Sequence, residues 1–505
     1  MKKYNLKEYA MLLQNQRMMK EFNSYGNDEI VVEYLTYDSK QVVEGTLFIC
    51  KGAAFKAEYL DEAIKKGAVA YVAEKKFDTQ KEVPYFLVDD IRKAMPPMAE
   101  MYNNAAWKDL KIVGIGGTKG KSTSAYYMKA IVDDYMEATG GKESAVISSI
   151  DVYDGVIKKE SHITTPEAVE LQEHFRHAVD SGISSLEMEV SSQALKYNRI
   201  DNMRLDVGVF LNISEDHISP IEHPDFEDYF ASKLRIFKSS KYAVVNKDAD
   251  FSDRIIAEAQ VCEKVLTFSM KDESADVYAY DVEKDGYETI FRVKTAEFDE
   301  EFRLTMPGLF NVENALAVIA SAMLLGIPKE YMHSGLYRAR SSGRMELYAS
   351  QDKNIIAIVD YAHNKLSFEK LFSSTKDEYP DYQIVSIFGC PGKKALLRRR
   401  DLGTIAGQYS KKVYLAAEDP GYEPVEDISK DIAQYVEAQN CPYVMIEDRG
   451  EAIKAAIDEA EGKTILLVTG KGNETRQKYG SEYLDCKSDV QFVKEFLAEY
   501  DKKHK

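Results

Sequence analysis

Short continuous apolar runs alternate along this chain with longer stretches in which apolar and polar residues mix at helical spacing. That alternation predicts strands buried on both faces and covered by helices. Strands are expected over residues 31–35, 46–49, 69–72 and 85–88, then 110–115, 145–148, 186–190, 207–211 and 242–245, and finally 355–359, 383–388, 413–416, 443–446 and 464–468. Residues 226–237 carry an amphipathic helix pattern, residues 280–302 read as a strand-rich β-hairpin insertion, and the run after Gly308 reads as a helix with Asn311 and Asn314 near its start. No internal repeat and no low-complexity linker interrupts the pattern. The expected class is α/β with three domains: a small α/β domain at 1–106, a central doubly wound domain at 107–338, and a C-terminal Rossmann-like α/β domain at 339–505.

Length supports that division, since 505 residues exceed what one core organises and correspond to about three domains of usual size. A net charge of −18, from 84 acidic against 66 basic residues, leaves no broad basic footprint for nucleic acid, so any phosphate recognition has to come from discrete sites. The five cysteines are odd in number and form no CxxC pair, which fits a reduced cytoplasm. The N-terminus lacks the apolar core of a signal peptide and no run of 18 apolar residues occurs, so a cytoplasmic protein without membrane insertion is expected.

The densest chemical signal follows the run 110–115. It breaks into Gly114-Ile-Gly-Gly117-Thr118-Lys119-Gly120-Lys121-Ser122-Thr123, a phosphate-binding loop between a strand and a helix. The strict spacing asks for glycine at 115, where Ile115 stands; G-x-x-G-T-x-G-K-S from Gly114 to Ser122 fits instead. Glycines 114, 116, 117 and 120 are expected to curl the backbone so that successive N–H groups face inward. Lys121 is expected on the β and γ phosphates and Ser122 on Mg²⁺. Glu189 ends a later strand, where a carboxylate can meet that metal, and His217 follows the next strand in the same way, with a structural role equally open. Lys233 sits among apolar neighbours, and pattern alone makes it a snorkelling surface lysine. Asn311 and Asn314 are each able to cap the helix or read a base edge. In the last third, the groups around Asp360 and His363, 389–394, 418–423 and 470–474 fall at strand ends and line one edge, a place for a second substrate.

Taken together these residues resemble the Mur ligase family, and within it the UDP-N-acetylmuramoyl-tripeptide synthetases, over essentially the whole chain. The resemblance implies that domain 1–106 binds the UDP end of the substrate, 107–338 binds ATP and 339–505 brings the amino acid. Thr36-x-Asp38-Ser39 looks like the uridine motif; Thr164-Thr165-Pro166-Glu167 and Glu189 to Leu195 look like the muramoyl-peptide and metal motifs. Ser191 and Arg199 fall where members contact the UDP-sugar peptide. His217 and Lys233 fall on a metal-ligand histidine and a carbamylated lysine, and Asn314, Arg344, Asp360 and His363 match ATP-facing positions. The implied activity is ATP- and Mg²⁺-dependent amide ligation through an acyl phosphate, in peptidoglycan precursor synthesis, with UDP-N-acetylmuramoyl dipeptide and a diamino acid as partners and a monomeric enzyme.

Two departures bear on specificity. Gln193 stands where members usually have histidine. The amino-acid motif, often Asp-Asn-Pro-Arg in enzymes adding meso-diaminopimelate, reads Glu418-Asp419-Pro420-Gly421, and Lys394 stands where many members have arginine. With Gly421 unable to grip a second carboxylate, and Glu418, Asp419, Glu423 and Glu474 near Gly470 expected to cluster, L-lysine is the expected substrate. Lys394, Arg398 or Arg399 could still serve a carboxylate, leaving meso-diaminopimelate or another diamino acid open. A folylpolyglutamate synthetase-like ligase shares the expected fold and acyl-phosphate chemistry, and a nucleotide-binding protein without catalysis would share the phosphate loop; both stay open at this point.

Overall fold

The computed structural model describes every residue except 1, 53–54, 80, 162, 216–217, 220–221, 286–287, 342, 394–395 and 505. Two compact units emerge from the packing, Met1–Asp276 with Ala317–Gly335, and Val277–Leu316 with Leu336–Lys505. Among the described residues no helix is long and apolar enough to cross a membrane.

In the first unit, the N-terminal sheet runs Met19–Asn23, Tyr85–Val88, Ala68–Ala73, Thr46–Ile49, Tyr34–Thr36; all neighbours are parallel except the antiparallel edge strand Met19–Asn23. The expected strand over 31–35 is displaced to Tyr34–Thr36, because Val31 makes only an isolated bridge to Asn5. Leu6, Tyr9 and Leu13 of the helix Leu6–Asn15 pack with Leu47, Val72 and Phe86 of this sheet.

The next sheet of this unit has the order Lys264–Ser269, Ser240–Asn246, Leu205–Phe210, Lys111–Gly116, Ser185–Glu189, Ala145–Ile147, then the antiparallel pair Asp151–Tyr153 and Lys158–Glu160. The first six strands are parallel, and Lys111–Gly116, first of them in the chain, lies between Leu205–Phe210 and Ser185–Glu189. The strand order therefore reverses on either side of Lys111–Gly116. A doubly wound sheet opens its ligand crevice at the carboxyl end of such a strand, and here that end carries the glycine-rich loop.

Two local expectations change. Gly114 and Gly116 are strand residues, so only Gly117 and Gly120 of the loop take positive φ. The pattern over 226–237 is an α-helix, Phe226–Leu234, that tightens into a 3₁₀ turn, Arg235–Ser239. Its Lys233 does not snorkel; it is 3% exposed.

In the second unit, the expected hairpin at 280–302 is a three-strand antiparallel meander, Val277–Asp285, Glu288–Lys294 and Asp299–Leu304. The third sheet runs Glu346–Ala349, Ile355–Asp360, Thr464–Thr469, Gln383–Phe388, Lys412–Leu415, Tyr443–Met445, parallel except for its first strand. A hairpin, Arg476–Tyr479 with Glu482–Asp485, follows the central strand Thr464–Thr469 and reaches the segment after Lys412–Leu415 through a bridge from Tyr479 to Gly421. The whole is an α/β protein with four sheets among the described residues, the two-stranded hairpin included.

Candidate active-site groups and family membership

The helix Lys121–Thr139 starts at the end of the glycine-rich loop, and its first backbone bond is Ser124 N–H to Gly120 O at 2.9 Å. The amides of Lys121, Ser122 and Thr123 thus precede the helical ladder and form its positive end. Gly117 has φ +142°, and a Cβ there would come within 2.9 Å of Leu211 Cβ, so no larger residue fits this close crossing. Not all of the loop amides face inward. Those of Thr118 and Lys119 donate to Asn212 Oδ1 at 3.1 and 2.8 Å, and Asn212 Nδ2 donates back to Lys119 O at 3.0 Å. Asn212 is therefore the clamp that holds the loop. Thr118 Oγ1 lies 3.1 Å from the Tyr229 hydroxyl.

Lys121 Nζ folds back on Gly117 O and Thr118 O, at 3.0 and 3.1 Å. Lys233 Nζ donates to the same Gly117 carbonyl at 2.7 Å, with the Tyr229 ring 4.8 Å away. Glu189, 1% exposed at the end of its strand, accepts from Ser149 N–H at 2.8 Å and from Ser149 Oγ at 3.0 Å. Ser149 Oγ is also 3.1 Å from Ser122 Oγ. Ser122, Ser149 and Glu189 make a chain of hydroxyl and carboxylate oxygens, the donor type that Mg²⁺ takes. Ser149 carried no sequence signal of its own; it follows a short strand with no motif around it. His217 lies outside the described residues.

Beside this, Thr165 Oγ1 donates to Glu189 O at 2.9 Å and accepts from Ser191 N–H at 3.0 Å. Ser191 caps the short helix Ser192–Lys196, accepting from Ala194 N–H at 3.1 Å. Arg199 Nη1 donates to Thr165 O at 2.8 Å and Nη2 to Glu167 Oε1 at 2.6 Å, while Lys51 Nζ sits 2.7 Å from Glu167 Oε2. Burial works to raise the Glu167 carboxyl, but Arg199 and Lys51 outweigh it and hold it below the usual range. Tyr37, whose ring faces Lys51 at 4.5 Å, donates to Glu170. Thr165, Ser191 and Arg199 are thus brought together, with Thr164 half-buried on the adjoining loop. Ser39 is held elsewhere, donating to Glu62 Oε2 at 3.0 Å.

In the second unit, a cavity of about 350 Å³ opens at the strand ends of the third sheet, its walls including Glu418, Asp419, Gly421, Gly470, Lys471 and Glu474. Lys471 donates to Asp419 Oδ1 at 3.0 Å and Glu474 Oε2 at 2.5 Å. Tyr361 donates to Glu474 Oε1 at 2.6 Å. Pro420 turns the chain between Asp419 and Gly421, and its carbonyl accepts from Glu423 N–H at 3.1 Å. Gly470 allows a close approach: a Cβ there would be 2.3 Å from Glu418 Oε2. Burial pushes the Glu418 carboxyl up to about 7, against the pull of Arg449 and Lys471. Arg344 stacks over the Tyr361 ring at 4.4 Å, and His363 Nδ1 is 2.7 Å from Tyr361 O on the same wall. Asp360 accepts from the backbone N–H groups of Met345 at 2.9 Å and Ala362 at 2.7 Å. Asn311 and Asn314 resolve into a local pair: Asn311 Nδ2 binds Pro307 O at 2.6 Å and Asn314 Nδ2 binds Asn311 Oδ1 at 2.9 Å.

Two expectations for this cavity are corrected. Glu423 does not line it; its carboxylate is taken by the Arg399 guanidinium at 2.9 and 2.7 Å. Arg399 is consequently unavailable to a substrate carboxylate, having Asp431 as its further partner at 2.8 Å. Lys394 lies outside the described residues. Arg398 does reach the wall, with Lys393, Lys478, Tyr422 and Tyr483.

Two family models match, the Mur ligase middle domain over residues 115–322 and the Mur ligase glutamate ligase domain over residues 343–472. The UDP-N-acetylmuramyl-tripeptide synthetase of Lactobacillus delbrueckii subsp. bulgaricus is 34% identical over 518 residues, covering 99% of either chain. The chain belongs to the Mur ligase family. Its other relatives include the UDP-N-acetylmuramoyl-L-alanyl-D-glutamate–L-lysine ligase of Streptococcus pneumoniae serotype 4, 36% identical over 459 residues and 90% of either chain. A solved UDP-N-acetylmuramoyl-L-alanyl-D-glutamate–2,6-diaminopimelate ligase superposes over 100% of both chains with a TM-score of 0.69 at 23% identity. A Mycobacterium tuberculosis folylpolyglutamate synthase covers only 74% of this chain, with a TM-score of 0.59 at 15% identity. As a Mur ligase the protein is an enzyme of the tripeptide synthetase type, an ADP-forming ligase. Lys51, Ser149, Asn212, Tyr361 and Lys471 are the groups of this Mur ligase to which motif reading gave no role; Tyr361 and Lys471 sat inside motifs, between Asp360 and His363 and between Gly470 and Glu474, and Asn212 opened the run that leads to His217.

Proposed function

We propose that this Mur ligase uses ATP to join L-lysine to the D-glutamate carboxylate of UDP-N-acetylmuramoyl-L-alanyl-D-glutamate, with residues 1–106 serving the UDP end, 107–338 ATP and 339–505 the amino acid. The observation that carries it is the cavity at Glu418. Glycine occupies position 421, where a meso-diaminopimelate ligase needs a cationic fork for the second carboxylate, and a deep carboxylate, Glu418, faces the same space. Among the described residues no ion pair occupies Arg398, which leaves one guanidinium for the one carboxylate of lysine. The L-lysine-adding relatives at 36% identity support the same choice.

In this reading the peptide carboxylate attacks the γ-phosphorus of ATP and the bond to ADP breaks. The amine of lysine then attacks the acyl carbon; a C–N bond forms, phosphate leaves with the C–O electrons, and the amine loses a proton. Lys121 leaves its two loop carbonyls for the β and γ phosphates, adding positive charge where the transferring phosphoryl oxygens develop negative charge. Ser122 and Glu189 would hold one Mg²⁺, and His217 and the carbamate of Lys233 a second, and these ions would supply positive charge to neutralise those same oxygens. Lys233 serves as a carbamate: its burial favours the neutral amine that adds CO₂. Thr165, Ser191, Arg199, Thr164 and Ser39 serve the UDP-sugar peptide. Asn314, Arg344, Asp360 and His363 serve the nucleotide.

The test is product identification. Enzyme, ATP, Mg²⁺, UDP-N-acetylmuramoyl dipeptide and an equimolar mixture of L-lysine and meso-diaminopimelate are incubated, and the nucleotide products are weighed by mass spectrometry. The lysine tripeptide is the expected product; a diaminopimelate tripeptide, or none, would overturn the proposal.

A further inference from the structure

Away from the phosphate loop, one buried carboxylate meets two imidazoles. Asp154 lies in the turn between Asp151–Tyr153 and Lys158–Glu160 and is 0% exposed. Its Oδ2 is 2.7 Å from His174 Nδ1 and 2.8 Å from His177 Nδ1. Both histidines come from the helix Ala168–Asp180, three residues apart and so on one face. We propose that Asp154, His174 and His177 form a binding site for a divalent transition metal of the zinc class.

The donor set selects the metal. Two nitrogens and one carboxylate oxygen, all within 4.8 Å of one another, suit Zn²⁺ or its transition-metal neighbours. Mg²⁺ and Ca²⁺ ask for oxygen throughout. The outer contacts are those that orient metal ligands. Asp154 Oδ1 is fixed by the backbone N–H groups of Val156 at 2.9 Å and Ile157 at 2.6 Å, leaving Oδ2 for the histidines. Glu173 Oε1 stands 4.0 Å from His177 Nε2, the nitrogen that would carry the proton once Nδ1 is coordinated. Burial opposes ionisation of Asp154, but the hydrogen bonds from His174, Ile157, His177 and Val156 outweigh it and hold the carboxyl below its usual range. The His177 side chain is 24% exposed, which gives an entry path and an open fourth position for water.

The geometry needs only a small adjustment. Tetrahedral bonds of about 2.1 Å place ligand atoms about 3.4 Å apart, so each imidazole nitrogen withdraws from Asp154 Oδ2 by roughly 0.6 Å, and the two nitrogens, within 4.8 Å of each other, settle at the same spacing. Each neutral ring moves its proton from Nδ1 to Nε2 and gives the freed lone pair to the metal. The bound metal ties the helix to the strand pair. That helix opens after Glu167, the partner of Arg199 and Lys51, and carries Glu170, the partner of Tyr37.

Full-length protein stripped with a chelator is titrated with Zn²⁺ in millimolar Mg²⁺ against a chromophoric competitor, and Co²⁺ is added separately to record d–d absorption. Wild type is expected to bind one equivalent that His177→Gln and His174→Gln each weaken by at least about 100-fold. Co²⁺ should give the intense visible bands of a tetrahedral site in wild type only. Metal-free melting temperature of the His177→Gln variant, altered at the more exposed of the two rings, should stay near that of wild type, which separates loss of a ligand from loss of the fold. Equal stoichiometry and affinity in all three proteins would assign the zinc to cysteines or the phosphate site and overturn the proposal. Absence of binding below millimolar Zn²⁺ would reduce the triad to a hydrogen-bonded staple and overturn it equally.

Discussion

Glu418→Gln makes a quantitative test of how the acceptor cavity works. Burial raises the Glu418 carboxyl from 4.5 to about 7, so the group that faces a substrate ammonium is only partly charged at neutral pH. With that value, about nine-tenths of the carboxyls are ionised at pH 8 and about one-tenth at pH 6, a roughly ten-fold loss of the binding-competent form. The attacking amine loses its own proton over the same range, but it does so identically in wild type and variant. The ratio of kcat/KM for L-lysine, wild type over Glu418→Gln, is therefore predicted to fall about ten-fold from pH 8 to pH 6, measured by continuous phosphate release at saturating ATP and UDP-dipeptide. The effect should lie mainly in KM. Stability carries the opposite preference. A carboxyl whose folded value is raised contributes fully below 4.5 and loses its contribution as pH rises through 7. The loss amounts to about 1.4 kcal/mol for each pH step between those two values, or about 3 kcal/mol in all. Glu418→Gln should accordingly melt higher than wild type at pH 8 and close to it at pH 4.5. A wild-type to variant ratio that stays constant from pH 8 to pH 6 would refute the reasoning, since the cavity would then not recognise the ammonium through this carboxylate.

Lys121→Ala is predicted to lower kcat at least about 10³-fold with little change in affinity for the UDP-dipeptide, followed by phosphate release and calorimetry; near wild-type turnover would remove Lys121 from the nucleotide site. Lys233→Ala should be nearly inactive and partly restored by millimolar short carboxylates, and removal of CO₂ from wild-type buffer should slow it reversibly; indifference to both would leave Lys233 an ammonium. Gly421→Arg has room, since the nearest atom to a Cβ there is Gly480 O at 3.9 Å, and its φ of +59° costs about 1–2 kcal/mol; relative kcat/KM for meso-diaminopimelate over L-lysine should rise about 10–100-fold. An unchanged ratio would show that position 421 does not face the distal end of the substrate.

The strands and the phosphate loop were legible because a fully buried parallel strand has to be apolar along its length, and because a glycine-rich turn before Lys121-Ser122 has few other uses. Lys233 was misread from pattern: a lysine inside an amphipathic helix usually snorkels, and only the approach of Gly117 O on another element reveals why this one is buried. Asn212 was visible only as a polar residue after a strand, whereas its work is to hold two loop amides across 94 and 93 positions of sequence. The Asp154, His174 and His177 cluster was missed because a His-x-x-His spacing without its third group is ordinary, and the carboxylate arrives from a turn before the helix begins. Likewise Glu423 and Arg399 were each read singly as pocket groups, and their pairing cancels both. What sequence withholds in each case is the partner.

The central claim is that this Mur ligase selects a diamino acid bearing one carboxylate. The measurement that tests it most directly is kcat/KM for L-lysine, L-ornithine and meso-diaminopimelate, side by side on UDP-N-acetylmuramoyl-L-alanyl-D-glutamate with phosphate release as readout. The account predicts L-lysine first, L-ornithine weaker because its chain is one methylene short, and meso-diaminopimelate lower than lysine by about 10²-fold or more. A preference for meso-diaminopimelate would contradict it.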